Sequence, residues 1–216
     1  MLTALHWWPN PSAVAAAGRC YAARQTRNSA VRPASSSVQS IGGGGGVTGN
    51  ALGNVALGAT RASGTTTSGS VTVRQTGDLG TDGRNSAGFV AQSIGGGGGL
   101  GARVIGDATL GMKSNAGATA ASGDVDFEGT GQLAYTKGIS SPVLVIQSIA
   151  GGGGWLGDVG GNAHLGADLN GVANSGSVSA TSRYEDIVSI GNNSAGLLVQ
   201  TIGGGGGYTG ISSGQQ

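Results

Sequence analysis

Three carboxylates alternate with apolar residues in one short segment, and they are the strongest candidates for chemistry in this sequence. Asp124, Asp126 and Glu128 surround Val125 and Phe127. Residues two apart in a strand share a face, so neighbouring carboxylates would lie about 6.6 Å apart on one face, from a rise of ~3.3 Å. That row suits cation binding or the paired carboxylates of glycoside hydrolysis. A solvated outer face opposite an apolar inner face is the other interpretation, and we favour it.

Other residues with chemical potential stand alone. His6 and His164 belong to no recognisable sequence motif, and we expect His164 to be a solvent-facing variant of a repeat. Trp155 follows a glycine run and has the ring to stack on a sugar, although a surface cap over the glycine turn is favoured. Cys20 is the only cysteine, which excludes an internal disulfide. The sequence therefore predicts no catalytic residue, no cofactor and no metal.

Composition narrows the class of protein. The 216 residues include 47 glycines, with 10% charged and 4% aromatic residues, so bulky apolar material for a deep globular core is scarce. A thin core made of many short strands fits better. The net charge is +1 and no basic stripe is present, which argues against nucleic acid as a partner. No apolar run approaches the ~20 residues of a membrane-spanning helix.

One phrase recurs along the chain and positions all of these residues. Its copies begin at intervals of 53, 55 and 53 residues, and each is followed by four or five glycines, with Ala150 in place of the first glycine in the third copy. A fixed period of this size is typical of stacked repeats. The four copies are Gln39-Ser40-Ile41, Gln92-Ser93-Ile94, Gln147-Ser148-Ile149 and Gln200-Thr201-Ile202.

The residue pattern of the repeat predicts β-strands. Val71 and Val73 alternate with polar residues at period 2, and glycines every few residues would each cost a helix interior ~1 kcal/mol. The segments 88–94 and 196–202 are nearly continuous in apolar and small residues, which predicts strands shielded on both faces. We expect three or four short extended pieces per repeat, bounded by Gly, Asn, Asp or Ser.

The glycine runs admit several interpretations. They are flexible linkers, or else structural turns or close-packed strands whose backbone approaches a neighbour or adopts positive φ. Phosphate binding is disfavoured because no Gly-Lys-Ser or Gly-Lys-Thr follows, and the aspartate of calcium-binding nonapeptides is missing. Ala150 predicts a negative φ and room for a methyl group at its position.

The repeated glutamine suggests an amide ladder along a stack. If each repeat made two coils, equivalent glutamines would lie roughly 9.6 Å apart, twice the ~4.8 Å strand separation. Backbone or water would then have to bridge them. Exchange of Ser93 for Thr201 keeps a hydroxyl and adds a β-branched group suited to strands.

Residues 37–216 resemble the passenger repeats of large bacterial autotransporters, the type V secreted surface proteins. The most specific part is Ala-Gln-Ser-Ile followed by five glycines at residues 91–99. The resemblance implies a right-handed parallel β-helix that a C-terminal translocator barrel of the parent carries to the cell surface or outer membrane, or into secretion. It implies a structural, adhesive and non-catalytic role with host or neighbouring-cell surface ligands. A carbohydrate-active β-helix using the acidic row is the alternative, and uncapped coil ends predict self-association.

Residues 1–36 lack the glycine punctuation of the repeat and form an irregular N-terminal segment before the repeat domain of residues 37–216. We identify no signal peptide in them. The segment is interpreted as an adventitious start, and the alternative is a cap over the first repeat.

Overall fold

The chain winds into stacked coils in which each strand pairs in parallel with its equivalent one repeat later. Gln92 is in register with both Gln39 and Gln147, so one repeat makes one coil. The all-β parallel β-helix predicted from the sequence is confirmed, and the condition of two coils per repeat, under which the glutamines could not bond directly, is not met. The computed structural model describes residues 19–21, 34–58, 60–61, 65–111, 113–114, 117–166 and 171–213.

The strands are grouped here by coil. The first coil, preceded by β1 (Arg19–Tyr21), contains β2 (Ala34–Ile41), β3 (Gly45–Thr48), β4 (Ala51–Leu52), β5 (Val55–Leu57), β6 (Thr60–Arg61), β7 (Thr65–Thr67), β8 (Val71–Thr76) and β9 (Leu79–Thr81). The second contains β10 (Ala87–Ile94), β11 (Gly98–Ile105), β12 (Ala108–Leu110), β13 (Lys113–Ser114), β14 (Thr119–Ala121) and β15 (Val125–Thr136). The third contains β16 (Leu144–Ile149), β17 (Gly153–Val159), β18 (Ala163–Leu165), β19 (Ala173–Asn174) and β20 (Val178–Ser189), and the fourth β21 (Leu197–Ile202) and β22 (Gly206–Thr209).

Equivalent strands form parallel sheets, which we name A to F. Sheet A contains β1, β8, β15 and β20, with β9 beside β15; sheet B contains β2, β10, β16 and β21. Sheet C contains β3, β11, β17 and β22, with β4 beside β11; sheet D contains β5, β12 and β18. Sheet E contains β6 and β13, and sheet F contains β7, β14 and β19. A complete coil thus has more strands than the three or four pieces expected.

Sheet B is the central layer. Every residue of β10 is buried, and its side chains alternate between two cores. Phe89 packs toward sheet A, where its ring centroid lies 5.3 Å from that of Phe127, whereas Val90 packs with Leu100 and Trp155 of sheet C. The prediction of a strand shielded on both faces is confirmed for β10 and is wrong for β21, where Leu197 and Val199 are exposed. Sheets C and D enclose a further cluster that includes Val104, Leu110 and Leu156.

The glycine runs form the corner between sheets B and C and then the start of a strand. Gly96 and Gly97 turn the chain with φ of 90° and 83°. Gly98 belongs to β11 and has φ 143°, and a Cβ there would lie 1.8 Å from the carbonyl oxygen of Gly153 in the next coil. These runs are therefore turns followed by close-packed strands, and the flexible-linker interpretation is wrong for them.

The N-terminal segment contributes one described strand to the stack. β1 pairs in parallel with β8, with Cys20 in register with Val73. Sheet B begins at Ala34, three residues before the predicted repeat boundary. The remainder of the segment, including His6, lies outside the described residues.

Candidate functional site

The acidic row lies at the outer surface of sheet A. Asp126 and Glu128 belong to β15 and point outward, whereas Val125 and Phe127 between them are buried. Asp124 immediately precedes the strand and is exposed. The alternation in the sequence therefore places the three carboxylates on the side of the strand away from the core.

Two of these carboxylates bind groups of neighbouring coils. Asp124 Oδ1 accepts hydrogen bonds from the backbone N–H of Ser177 at 2.8 Å and from its hydroxyl at 2.9 Å. Those bonds, the backbone one first, lower the pKa of the Asp124 carboxyl. Glu128 Oε1 lies 3.2 Å from Nη1 of Arg183, and its other oxygen pairs with Arg74. A glycosidase acid needs a raised pKa, which Asp124 does not have.

The four repeated glutamines form an amide ladder through the stack. Gln39 Nε2 donates to Gln92 Oε1 at 2.7 Å, Gln92 Nε2 to Gln147 Oε1 at 2.5 Å, and Gln147 Nε2 to Gln200 Oε1 at 2.6 Å. All bonds run in one direction, and the two inner glutamines are fully buried. Equivalent glutamines lie on adjacent strands of sheet B, and their side chains therefore bond directly to one another.

The serines of the phrase fasten the segment that leads from sheet F to sheet A. Ser93 Oγ donates to the carbonyl of Gly69 at 3.0 Å and accepts from the N–H of Gly123 at 2.9 Å. Ser148 Oγ donates to the carbonyl of Gly123 at 2.9 Å, and Ser40 Oγ accepts from the N–H of Gly69 at 2.9 Å. Each hydroxyl thus satisfies backbone groups where the chain passes the end of sheet B.

The isoleucines complete the phrase as a buried row. Ile94 is in register with Ile41 and Ile149, and Ile149 with Ile202. The two middle members are fully buried, and the outer two are half-buried at the ends of the stack. Thr201, which replaces the serine in the fourth copy, is exposed. The phrase is therefore a structural element throughout.

Ala150 has the negative φ that the sequence predicts, and its buried methyl group fits. The equivalent glycines of the first two coils have no space for a methyl group. A Cβ at Gly95 would lie 2.3 Å from the carbonyl oxygen of Ala121, and one at Gly42 would lie 2.2 Å from that of Thr67. The first two coils therefore lack room for a methyl group, whereas at Gly203, the equivalent position of the fourth coil, the nearest atom to a Cβ is 3.5 Å away.

Trp155 is fully buried, so the expectations of a surface cap and of sugar stacking are wrong. It lies in sheet C in register with Leu100 and Tyr208 and packs against the apolar residues of sheet B. The glycine turn folds β17 back beneath sheet B, and this directs the first side chain after the run inward. Among the described residues, its Nε1 has no hydrogen-bond partner.

His164 is exposed on β18, in register with Thr109. This agrees with the expectation of a solvent-facing variant of the repeat. The equivalent positions on the other strands of sheet D are Thr109 and Ala56, so the histidine is not repeated from coil to coil.

Asp158 is the buried carboxylate that sequence reasoning missed. Its side chain is 9% exposed and pairs with Arg84, whose Nε lies 2.7 Å from Oδ2. Its Oδ1 accepts from the Ser140 hydroxyl at 2.8 Å and the Ile211 N–H at 3.3 Å. Burial raises the pKa of Asp158, but these hydrogen bonds and the Arg84 charge outweigh it and the pKa is lowered. Arg84 and Ser140 lie 74 and 18 residues away from Asp158 along the chain, so no local sequence pattern indicated this cluster.

Groups that could bind a metal are separated across the described coils. Within the residues that the structure describes, no three side chains of His, Cys, Asp or Glu converge on one point. The same ranges contain no helix with the length and apolarity to cross a membrane.

Comparison with known proteins gave no matching family model, no matching curated protein and no matching solved structure.

Proposed function

We propose that this chain is a structural and adhesive passenger fragment of a bacterial autotransporter, exposed at the cell surface or secreted as part of its parent, and that it is not an enzyme. The observation that carries the proposal is the buried amide ladder, which joins every coil to the next. Repetition of the phrase lengthens a rod by one coil per repeat. A rod presents side chains at a distance, which is what an adhesive stalk requires.

The outward face of sheet A is the proposed contact surface for host or neighbouring-cell ligands. Its side chains are polar and are held at strand spacing by the parallel register, which pairs Asp126 with Thr72 and Ser179. Arg74 and Arg183 extend beside Glu128, with 66% and 67% of their side chains exposed. Both signs of charge thus stand on a rigid, flat surface.

Attachment of coated beads to cells tests this surface. Beads carrying the chain are expected to bind cultured host cells or bacteria, and the triple variant Arg74→Ala/Glu128→Gln/Arg183→Ala to bind at least tenfold more weakly. Arg103→Ala is the matched control, because Arg103 is exposed on sheet C. Equal attachment by both variants and the parent, or no attachment above that of uncoated beads, would refute an adhesive role for this face.

Catalysis is tested separately. Changing Asp124 and Asp126 to Asn and Glu128 to Gln removes the acidic row and preserves side-chain size. We expect neither the parent nor this variant to cleave surface polysaccharides. Cleavage by the parent that the variant loses would establish the carbohydrate-active alternative in place of our proposal.

The ends of the stack favour self-association. At the C-terminal end Leu197 and Val199 of β21 are 46% and 43% exposed, and at the other end Val47 of β3 is 53% exposed. Unpaired strand edges beside apolar side chains promote edge-to-edge pairing. Sizing chromatography at rising concentration is expected to show oligomers, and a strictly monomeric protein would contradict this part of the proposal.

A further inference from the structure

Tyr135 is an aromatic side chain on the outside of the coil stack. It belongs to β15 and is half-buried, whereas its strand neighbours Ala134 and Thr136 are buried and point inward. Phe127 of the same strand packs in the core. A tyrosine on an outward strand face offers apolar area with a polar tip, and such side chains are enriched where proteins bind partners. The position of Tyr135 therefore points to a binding surface.

The ring of Tyr135 occupies a place that the neighbouring strand leaves free. Tyr135 is in register with Gly80 of β9. A Cβ at Gly80 would lie 2.4 Å from Cε1 and 2.6 Å from Cζ of the tyrosine. The φ of Gly80 is not positive, so its backbone conformation does not require glycine. The glycine instead allows the phenol to lie across β9, and we call this ring on its glycine the Tyr135 platform.

Two carboxylates flank the platform along β9. Asp78 immediately precedes the strand and Asp82 immediately follows it, and both are exposed. Residues two apart share a strand face, so the two carboxylates start about 6.6 Å to either side of Gly80. Asp78 is held in place because its Oδ1 accepts hydrogen bonds from the N–H groups of Gln132 at 2.8 Å and Leu133 at 3.0 Å. A molecule on the ring thus meets a hydrogen-bond acceptor at each end.

Lys137 supplies a donor beside the same ring. Its Nζ lies 3.0 Å from Oδ1 of Asp82 and 5.2 Å from the centroid of the Tyr135 ring. The lysine side chain is 55% exposed, and an exposed ion pair of this kind contributes little energy, so the ammonium can turn from the ring to a ligand. The platform therefore combines an apolar face with two acceptors and one movable donor.

This combination fits a neutral pyranose sugar. The C–H face of such a sugar is apolar and stacks on an aromatic ring, and its hydroxyls bond to charged groups around the ring edge. Two carboxylates against one ammonium disfavour a uronate or a sulfated sugar, because like charges repel. The site lies on an open strand face, which suits a chain of sugars along the surface better than an enclosed monosaccharide.

We propose that the Tyr135 platform binds a neutral, β-linked glycan, with one pyranose ring stacked on the phenol. Hydroxyls of that sugar bond to Asp78, Asp82 and Lys137. Glucopyranose has all its substituents equatorial and so presents a flat C–H face, which makes β-1,4-linked glucose the ligand class. Gly80 is a positioning residue, because it sets where the ring lies. The inference rests on the adhesive function proposed for sheet A and gives its ligand a chemistry, at a site further along β15 than the charged group tested with beads.

Saturation-transfer NMR with cellopentaose tests the site, because it reports which sugar protons touch an aromatic ring. On irradiation of the aromatic protons we expect transfer to H1, H3 and H5, which share one face of the sugar. Tyr135→Ala should raise the dissociation constant about tenfold, whereas Tyr135→Phe keeps the ring and should change it by about twofold or less. Gly80→Ala should also weaken binding, because its methyl group displaces the ring, and thermal unfolding should show no loss of stability.

The triple variant Arg74→Ala/Glu128→Gln/Arg183→Ala is the matched control on the same face and should bind cellopentaose as the unaltered chain does. A heparin oligosaccharide should not compete. The inference would be overturned by a lack of transfer to cellopentaose in the unaltered chain, by equal binding of Tyr135→Ala, or by displacement with heparin; bead attachment would then still decide the adhesive role. Cellopentaose binding by a chain whose beads do not attach to cells would support the site and remove the adhesive role.

Discussion

The amide ladder inside the stack and the acidic row on sheet A are both polar rows, yet they differ in how strictly the sequence repeats. In the ladder every coil supplies the same residue, and each glutamine bonds to the next. On sheet A, Asp126 is in register with Thr72 and Ser179. A buried polar side chain whose partner is its own equivalent in the next coil therefore requires the same residue in every coil, and exposure permits variation.

The physical reason is the cost of an unpaired polar group. A buried amide without a partner loses about 1–3 kcal/mol, and a chain of aligned amides also polarises its members. An exposed carboxylate is solvated by water, and a surface ion pair contributes only about 0–1 kcal/mol. Four substitutions test this contrast, and the expected loss of stability decreases from Gln147→Leu to Glu128→Gln.

Gln147→Leu should have the largest effect. It leaves Gln92 Nε2 and Gln200 Oε1 without a partner, so we expect the free energy of unfolding to fall by about 2–6 kcal/mol in urea denaturation. Gln200→Leu, at the half-buried end of the ladder, leaves a single donor without a partner. The free energy of unfolding should therefore fall by about half as much.

Changing all four glutamines to Leu provides the control for that prediction. Replacing both partners of a hydrogen bond by apolar groups of similar shape is close to neutral, so the quadruple variant should be more stable than Gln147→Leu alone. A fully additive loss across the four sites would show that the ladder bonds are not the source of the effect.

Gly95→Ala should be the next most destabilising change. Its Cβ would lie 2.3 Å from the Ala121 carbonyl oxygen, and we expect a loss of about 2–3 kcal/mol from overpacking. Gly203→Ala is the equivalent change in the fourth coil, where the nearest atom is 3.5 Å away. That variant should be neutral or slightly more stable, and thermal unfolding of the two side by side measures the difference. Equal losses would contradict the view that the covering segment sets the glycine requirement.

Asp158→Asn should reduce stability by about 1.5 kcal/mol at neutral pH, because its charge-assisted bonds to Arg84 and Ser140 weaken. The folded pKa of Asp158 is lowered, so its contribution is present above the ordinary value of 3.8 and is lost as pH falls through the lower folded value. Urea midpoints of the two proteins should therefore converge below pH 3.8. A difference that stays constant down to pH 2 would contradict an electrostatic role.

Glu128→Gln should have the smallest effect. Its ion pairs with Arg74 and Arg183 are largely exposed, and we expect a change in unfolding free energy of about 0.5 kcal/mol or less, reduced further at high salt. Urea denaturation at low and high ionic strength checks this. A loss as large as that of Gln147→Leu would remove the contrast between the inner and outer rows.

Much of the fold followed from the sequence because its signals are local and repeated. The 53-residue spacing predicted a stack of repeats, and the alternation around Val71 and Val73 predicted strands. The alanine at position 150 predicted the negative φ that the residue has. Trp155 was placed on the surface because no local pattern states which side of a strand faces inward after a glycine turn. Asp158 was missed because its partners are remote in the chain.

Period and alternation are properties of neighbouring residues, so they were enough to predict stacked repeats of short strands with a polar outer face; the parallel β-helix was what the resemblance of residues 37–216 implied. Tertiary structure alone decided that one repeat makes one coil, which turns the repeated glutamines into a directly bonded ladder. It also decided that Trp155 faces the core and that Asp158 meets Arg84 and Ser140. Those features depend on which strands meet across a coil, and distances of that kind have no counterpart in local sequence.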